Sequence, residues 1–141
     1  MPTMMMSAAA LAMLTLFVYL MVTVLGVSAK ASGALSDDYS KNKTGSPPPD
    51  WLANWGRNFV NLLELPVLFY ALVAFQALNP DTVDGLQTAL AAGFVASRFA
   101  HTLIHVTINN VGLRFLAHRA GFVILAYMWI RFGMELMSAG S

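Results

Sequence analysis

Long apolar runs separated by short polar interruptions dominate the chain. From Met1 to Ala29 there is not one charged residue until Lys30. Ala8 to Val27 alone is long enough to cross a bilayer, for which a helix needs roughly 20 mostly apolar residues. Three further runs follow, from about Arg57 to Leu78, Val83 to Ile108 and Leu113 to Met137. The pattern predicts an all-α integral membrane four-helix bundle, with helices over about residues 4–28, 57–78, 83–108 and 113–137, in a single domain spanning 1–141. The first run does not fit a cleaved leader, because MPTMMM carries no basic residue and the apolar stretch is too long.

Between the first two runs, about residues 29–56, lies a stretch rich in Ser, Gly, Pro and charge that reads as a long solvated loop. Its PPPD segment ends any regular structure before the second helix. NPDTVDG is short and turn-like, so the second and third helices are expected to form an antiparallel hairpin. The connection near INNVG is shorter still.

Composition sharpens this picture. The chain is 57% hydrophobic and 11% charged, whereas a soluble domain carries about 25% charged residues. Too few charges remain to solvate a water-facing surface, so the lipid bilayer is the expected partner. A net charge of +1 without a Lys/Arg cluster gives no footprint for nucleic acid. With no Cys, there is no disulfide framework and no thiolate nucleophile in the chain. Any thiol chemistry must use a thiol that arrives with a substrate.

Basic residues set the orientation. Lys30, Lys41, Lys43 and Arg57 belong to the first loop, and Arg114 and Arg119 follow the third connection. Both termini are therefore expected on the non-cytoplasmic side of an inner (cytoplasmic) membrane.

Ionisable groups inside such helices cost roughly 2.5–3.5 kcal/mol each at mid-bilayer, and here they are grouped. Arg57, Asn61 and Glu64 are spaced i, i+4, i+7 and share a helical face, as do Arg98, His101 and His105 at i, i+3, i+7. At 1.5 Å of rise per residue, Glu64 lies roughly 10 Å deeper than Arg57, at a depth similar to Arg98 on the antiparallel neighbour. A buried Glu64–Arg98 ion pair is expected, since either charge alone would be uncompensated. Pro66 removes a backbone N–H beside Glu64 and is expected to kink the helix, most simply as a packing device. His101 and His105, with His118 on the next helix, offer an alternative reading as haem or metal ligands, although no carboxylate motif accompanies them. Trp51 and Trp55 read as headgroup-layer anchors.

The strings RNFVNLLELPVLFY and SRFAHTLIHVTINNVGLRF resemble two signatures of the MAPEG family, the membrane-associated proteins in eicosanoid and glutathione metabolism, in a bacterial-type member. The spacing Arg98-x2-His101-x3-His105-x8-Arg114 is similar to that of the prostaglandin E synthase branch. The resemblance implies a homotrimer that binds glutathione between adjacent subunits near the cytoplasmic side. It implies that Arg57, Asn61, Glu64 and His101 contact the cofactor, that Arg114 stabilises the glutathione thiolate, and that Lys30 meets a glutathione carboxylate. His105 stands where characterised branches usually carry Tyr. The implied activity is a glutathione transferase or peroxidase acting on a small lipophilic electrophile or lipid hydroperoxide, in a detoxification role. The alternatives are a non-catalytic glutathione-binding or scaffold protein of the same fold and the His-ligated haem or metal protein.

Overall fold

A computed structural model describes residues 1–139 of the chain. Four long helices, α1 (Pro2–Ala31), α3 (Asp50–Leu78), α4 (Gly85–Val106) and α5 (Val111–Ala139), form the bundle. A short helix, α2 (Asp37–Asn42), crosses the loop between α1 and α3, and a single 3-10 turn, Pro80–Thr82, joins α3 to α4. Each of the four long helices is long and apolar enough to span a membrane.

The four do not contribute equally. α4 packs against α1, α3 and α5, whereas α1 is seated mainly on α3. α1 is apolar along most of its surface, and it buries the stripe Met4, Leu11, Leu14 and Val18, with Ala29 near its end. Met6, Met13, Leu16, Phe17 and Leu20 face outward. In water that surface would be untenable; in lipid it is the expected exterior, because apolar side chains gain nothing by hiding from lipid tails. Close packing then holds the bundle, with the Phe69 and Phe94 rings 4.8 Å apart at its centre.

Local chemistry sets the helix ends. α1 stops where Gly33 adopts φ +75 and the Gly33 N–H bonds the Lys30 carbonyl at 3.1 Å, a left-handed stop that Gly takes without a Cβ penalty. α3 begins at Asp50, earlier than the apolar run suggested. Pro49 ends the extended segment, its carbonyl accepts the Ala53 N–H at 2.9 Å, and Asp50 places a carboxylate at the positive end of the helix. The helix then continues through Pro66. Asp84 caps α4: one carboxylate oxygen accepts the Gln87 N–H at 2.7 Å and the other pairs with Arg131 Nη2 at 2.7 Å. The Gln87 amide foremost, and the Arg131 guanidinium after it, hold the Asp84 carboxyl below the usual carboxylate range.

These connections put the α1–α3 loop and the α4–α5 turn at one end of the bundle, here the loop end. The 3-10 turn, the start of α1 and the end of α5 lie at the other. Along the buried face of α4 the chemistry changes with depth: Ala91, Phe94 and Val95 give way to Arg98, His101, Thr102 and His105 toward the loop end. The candidate site is built there.

Candidate functional site

Arg98 sits beneath this site, only 1% exposed, and it does not pair with Glu64. Among the described residues the ion pairs are Lys30–Asp37 at 3.1 Å and Arg131–Asp84. Instead, Arg98 Nη2 donates to the carbonyls of Ala117 and His118 on α5, both at 3.0 Å, and its guanidinium lies 5.5 Å from the Phe94 ring. Gly121 makes this possible, because a Cβ there would run into Arg98 Nη2 and Ser97 Oγ. The carbonyls stand in for a carboxylate at Nη2, Nη1 has no hydrogen-bond partner, and Glu64 lies on the exposed side of α3. The expected buried pair is thus replaced by a helix-to-helix clamp between α4 and α5.

One turn further toward the loop end, His101 joins three helices. Its Nδ1 lies 3.1 Å from the Arg114 carbonyl, which can only accept, so Nδ1 carries a proton. In the neutral ring Nε2 must then accept, and the Asn61 amide donates to it at 3.4 Å. Asn61 Oδ1 is thereby turned away from the ring as an acceptor. Beside this link, Asn58 and Thr102 exchange two hydrogen bonds at 3.2 and 3.3 Å, tying α3 to α4 in the buried layer.

The two arginines at the loop end are connected through two carboxamides. Arg57 Nη2 donates to Asn54 Oδ1 at 2.6 Å, and Asn109 Nδ2 donates to the same oxygen at 3.3 Å. Arg114 Nη1 donates to Asn109 Oδ1 at 2.6 Å. Asn110 supports this by accepting the Leu113 N–H at 3.0 Å and so starting α5.

Two cavities meet at this network. The larger, about 760 Å³, is walled by Arg57, Asn61, His105 and Arg114 on one side and roofed by Tyr39 and Lys43 of the loop. The smaller, about 340 Å³, is lined by His101, Phe115, His118, Arg119 and Phe122. Asn61 and Arg114 belong to both. The structure therefore brings Arg57, Asn61, His101, His105 and Arg114 together. It does not bring in Glu64 or Lys30, neither of which lines either of these two cavities; Lys30 is engaged with Asp37 instead.

His105 is 1% exposed, and its Nδ1 has no hydrogen-bond partner within the chain. The His105 ring lines the larger cavity, and the chain leaves this buried nitrogen of it unpaired. His101, His105 and His118 do not assemble a three-ligand metal site. Among the described residues no three His, Cys, Asp or Glu side chains converge on a metal position, and both His101 nitrogens are already engaged.

Asn54, Asn58, Thr102, Asn109 and Gly121 were not expected here from the sequence. The asparagines carry no signal beyond their routine use in turns and helix starts, and Gly121 reads as an indifferent residue in an apolar helix.

The fold and site define a polytopic α-helical membrane protein with a polar, cationic chamber at one end of its bundle. Compared with models of known protein families, residues 4–134 match the MAPEG family, and the chain belongs to that family. No curated protein and no solved structure gives a match.

Proposed function

We propose that this chain is a glutathione-dependent membrane enzyme of the transferase or peroxidase type, acting as a homotrimer on lipophilic electrophiles or lipid hydroperoxides. The observation that carries this reading is the placement of two guanidiniums, Arg57 and Arg114, on the wall of one cavity beside the unpartnered Nδ1 of His105. Glutathione is a peptide with two carboxylates, an amine and a thiol. The donor set fits it: guanidiniums for anionic groups, Asn61 Oδ1 for an N–H, and His105 for a further polar contact.

Bound there, glutathione supplies a thiol, which is the nucleophile only as the thiolate. A guanidinium within a few ångströms favours the charged form over the neutral one, and Arg114 has this role. Its main chain is fixed by His101 and its side chain by Asn109. Arg114 also borders the smaller cavity, whose Phe115 and Phe122 offer an apolar seat for a lipophilic partner. Glu64 lies on an exposed face of α3 and Lys30 near the loop. A site between adjacent subunits, near the cytoplasmic side of an inner membrane, would let them take part from surfaces that a neighbouring copy covers. The spacing of Arg98, His101, His105 and Arg114 supports the prostaglandin E synthase branch as the nearest pattern.

The test is calorimetric titration of glutathione into detergent-purified protein, for the wild type, Arg57→Ala and Arg114→Ala. Saturable binding weakened by both substitutions is expected, with Arg114→Ala also abolishing turnover of an electrophile. No binding at millimolar glutathione would reject the reading. His105, in place of the family's usual Tyr, supports one second reading, a glutathione-binding protein without turnover. Binding in the absence of any glutathione-dependent activity would establish it.

A further inference from the structure

We propose that Asn109 is a positioning residue for this site. It holds the Arg114 guanidinium in place and links it through Asn54 to Arg57, leaving both positive charges undiminished for an anionic ligand. The inference rests on the reading of the cavity as a glutathione site and specifies how its charge is arranged.

The backbone supplies the first argument. Asn109 has φ +47, a left-handed conformation that Gly occupies freely and Asn tolerates better than most residues. The turn alone would be satisfied by Gly. What Asn adds is a carboxamide, and both ends of that carboxamide are used. Its oxygen accepts from Arg114 at 2.6 Å and its nitrogen donates to Asn54 Oδ1 at 3.3 Å. The N–H of Asn109 closes onto the Ile104 carbonyl at 2.8 Å, fixing the turn from which the side chain projects.

The second argument is electrostatic. Two guanidiniums on one cavity wall repel each other, and a cation on a long side chain loses considerable rotamer freedom when held. A carboxylate between them would order both, but it would cancel charge that an anionic ligand needs. Carboxamides accept from a cation without carrying a formal charge. Asn54 Oδ1, with two lone pairs, accepts one hydrogen bond from Arg57 and one from Asn109. The four-residue chain Arg57–Asn54–Asn109–Arg114 thus fixes two cations with neutral groups.

The test uses the full-length protein and two variants. Asn109→Gly keeps the left-handed turn and deletes the bridge, while Asn109→Asp keeps an acceptor for Arg114 but neutralises it. Two readouts are taken: thiolate absorbance of bound glutathione against pH, and the rate at which an arginine-specific dicarbonyl modifies Arg114, followed by mass spectrometry. Asn109→Gly is expected to leave about tenfold less thiolate at a fixed pH, to lower kcat more than it raises KM, and to label Arg114 several-fold faster. Asn109→Asp should lower the thiolate fraction further while labelling of Arg114 stays slow. Unchanged labelling and thiolate in Asn109→Gly would overturn the proposal. If the wild type shows no thiolate signal, the glutathione reading falls, and the labelling rate alone decides whether Asn109 holds Arg114.

Discussion

Gly121 lies directly against the guanidinium of Arg98, and the missing side chain of the one is the seat of the other. Elsewhere in a helix, replacing Gly by Ala gains about 1 kcal/mol of propensity. Here the new methyl would displace a cation that donates to two carbonyls. Overpacking costs about 1–3 kcal/mol, and hydrogen bonds to charged groups contribute about 1.5–3 kcal/mol each. The penalty exceeds the gain, so Gly121→Ala is expected to destabilise the bundle by about 2 kcal/mol or more. Gly133, with nothing within 4 Å of a built Cβ, is the control, and Gly133→Ala should be neutral or stabilising. Thermal unfolding in detergent, read by circular dichroism, separates the two. Equal behaviour of both variants would remove the clamp from the account of stability.

The clamp also shows where sequence reasoning reached and where it stopped. The four spans were legible because a bilayer imposes a long apolar run on each. The spacing of Arg98, His101 and His105 gave the polar face of α4 correctly. The partner of Arg98 was not legible, since its acceptors are backbone carbonyls, which every residue carries, and what selects them is an absence at Gly121. The start of α3 at Asp50 was missed because Trp51 to Gly56 is mixed in polarity and reads as interface, not span. Arg57, Asn61, His105 and Arg114 could be brought to one region by periodicity and topology. Asn54 and Asn109 could not, because their bond runs between residues 55 apart in the chain and depends on how a loop and a helix start meet.

His105 presents a conflict between stability and function. Its buried Nδ1 has no partner in the chain, and a buried polar group without a partner costs about 1–3 kcal/mol. His105→Phe, which keeps an aromatic ring of similar shape, is expected to raise the thermal midpoint of the ligand-free protein. The same substitution should weaken glutathione binding, since the His105 ring lines the larger cavity and Phe offers no polar atom there. Denaturation midpoints with and without ligand test both halves. A variant that loses stability and retains full affinity would show that His105 is a packing residue.

Asn58 and Thr102 form a reciprocal pair at 3.2 and 3.3 Å in the buried layer between α3 and α4. Hydrogen bonds between membrane helices average about 0.6 kcal/mol and reach about 1.7 kcal/mol by double-mutant cycles. Asn58→Leu or Thr102→Val alone leaves a buried partner unsatisfied and should cost more than that. Together they should restore most of the loss, giving a favourable coupling of about 1 kcal/mol in a double-mutant cycle. Additive effects would mean that the pair does not bond in the bilayer.

At the opposite end of the bundle the Asp84 latch gives the fold a pH dependence with a definite sign. Gln87 N–H and Arg131 hold its carboxyl below the usual range. Folded protein therefore binds fewer protons at this group than unfolded protein does, and stability rises with pH across that interval. The contribution is complete above the unfolded carboxylate value, about pH 4. It is lost as pH falls through the depressed folded value. Asp84→Asn retains an acceptor for the Gln87 N–H but has no charge for Arg131 and no titration. It should be less stable than wild type at neutral pH and should lose less on acidification, so the two melting curves converge at low pH. Parallel curves from neutral to acid pH would remove Asp84 as the source of that slope.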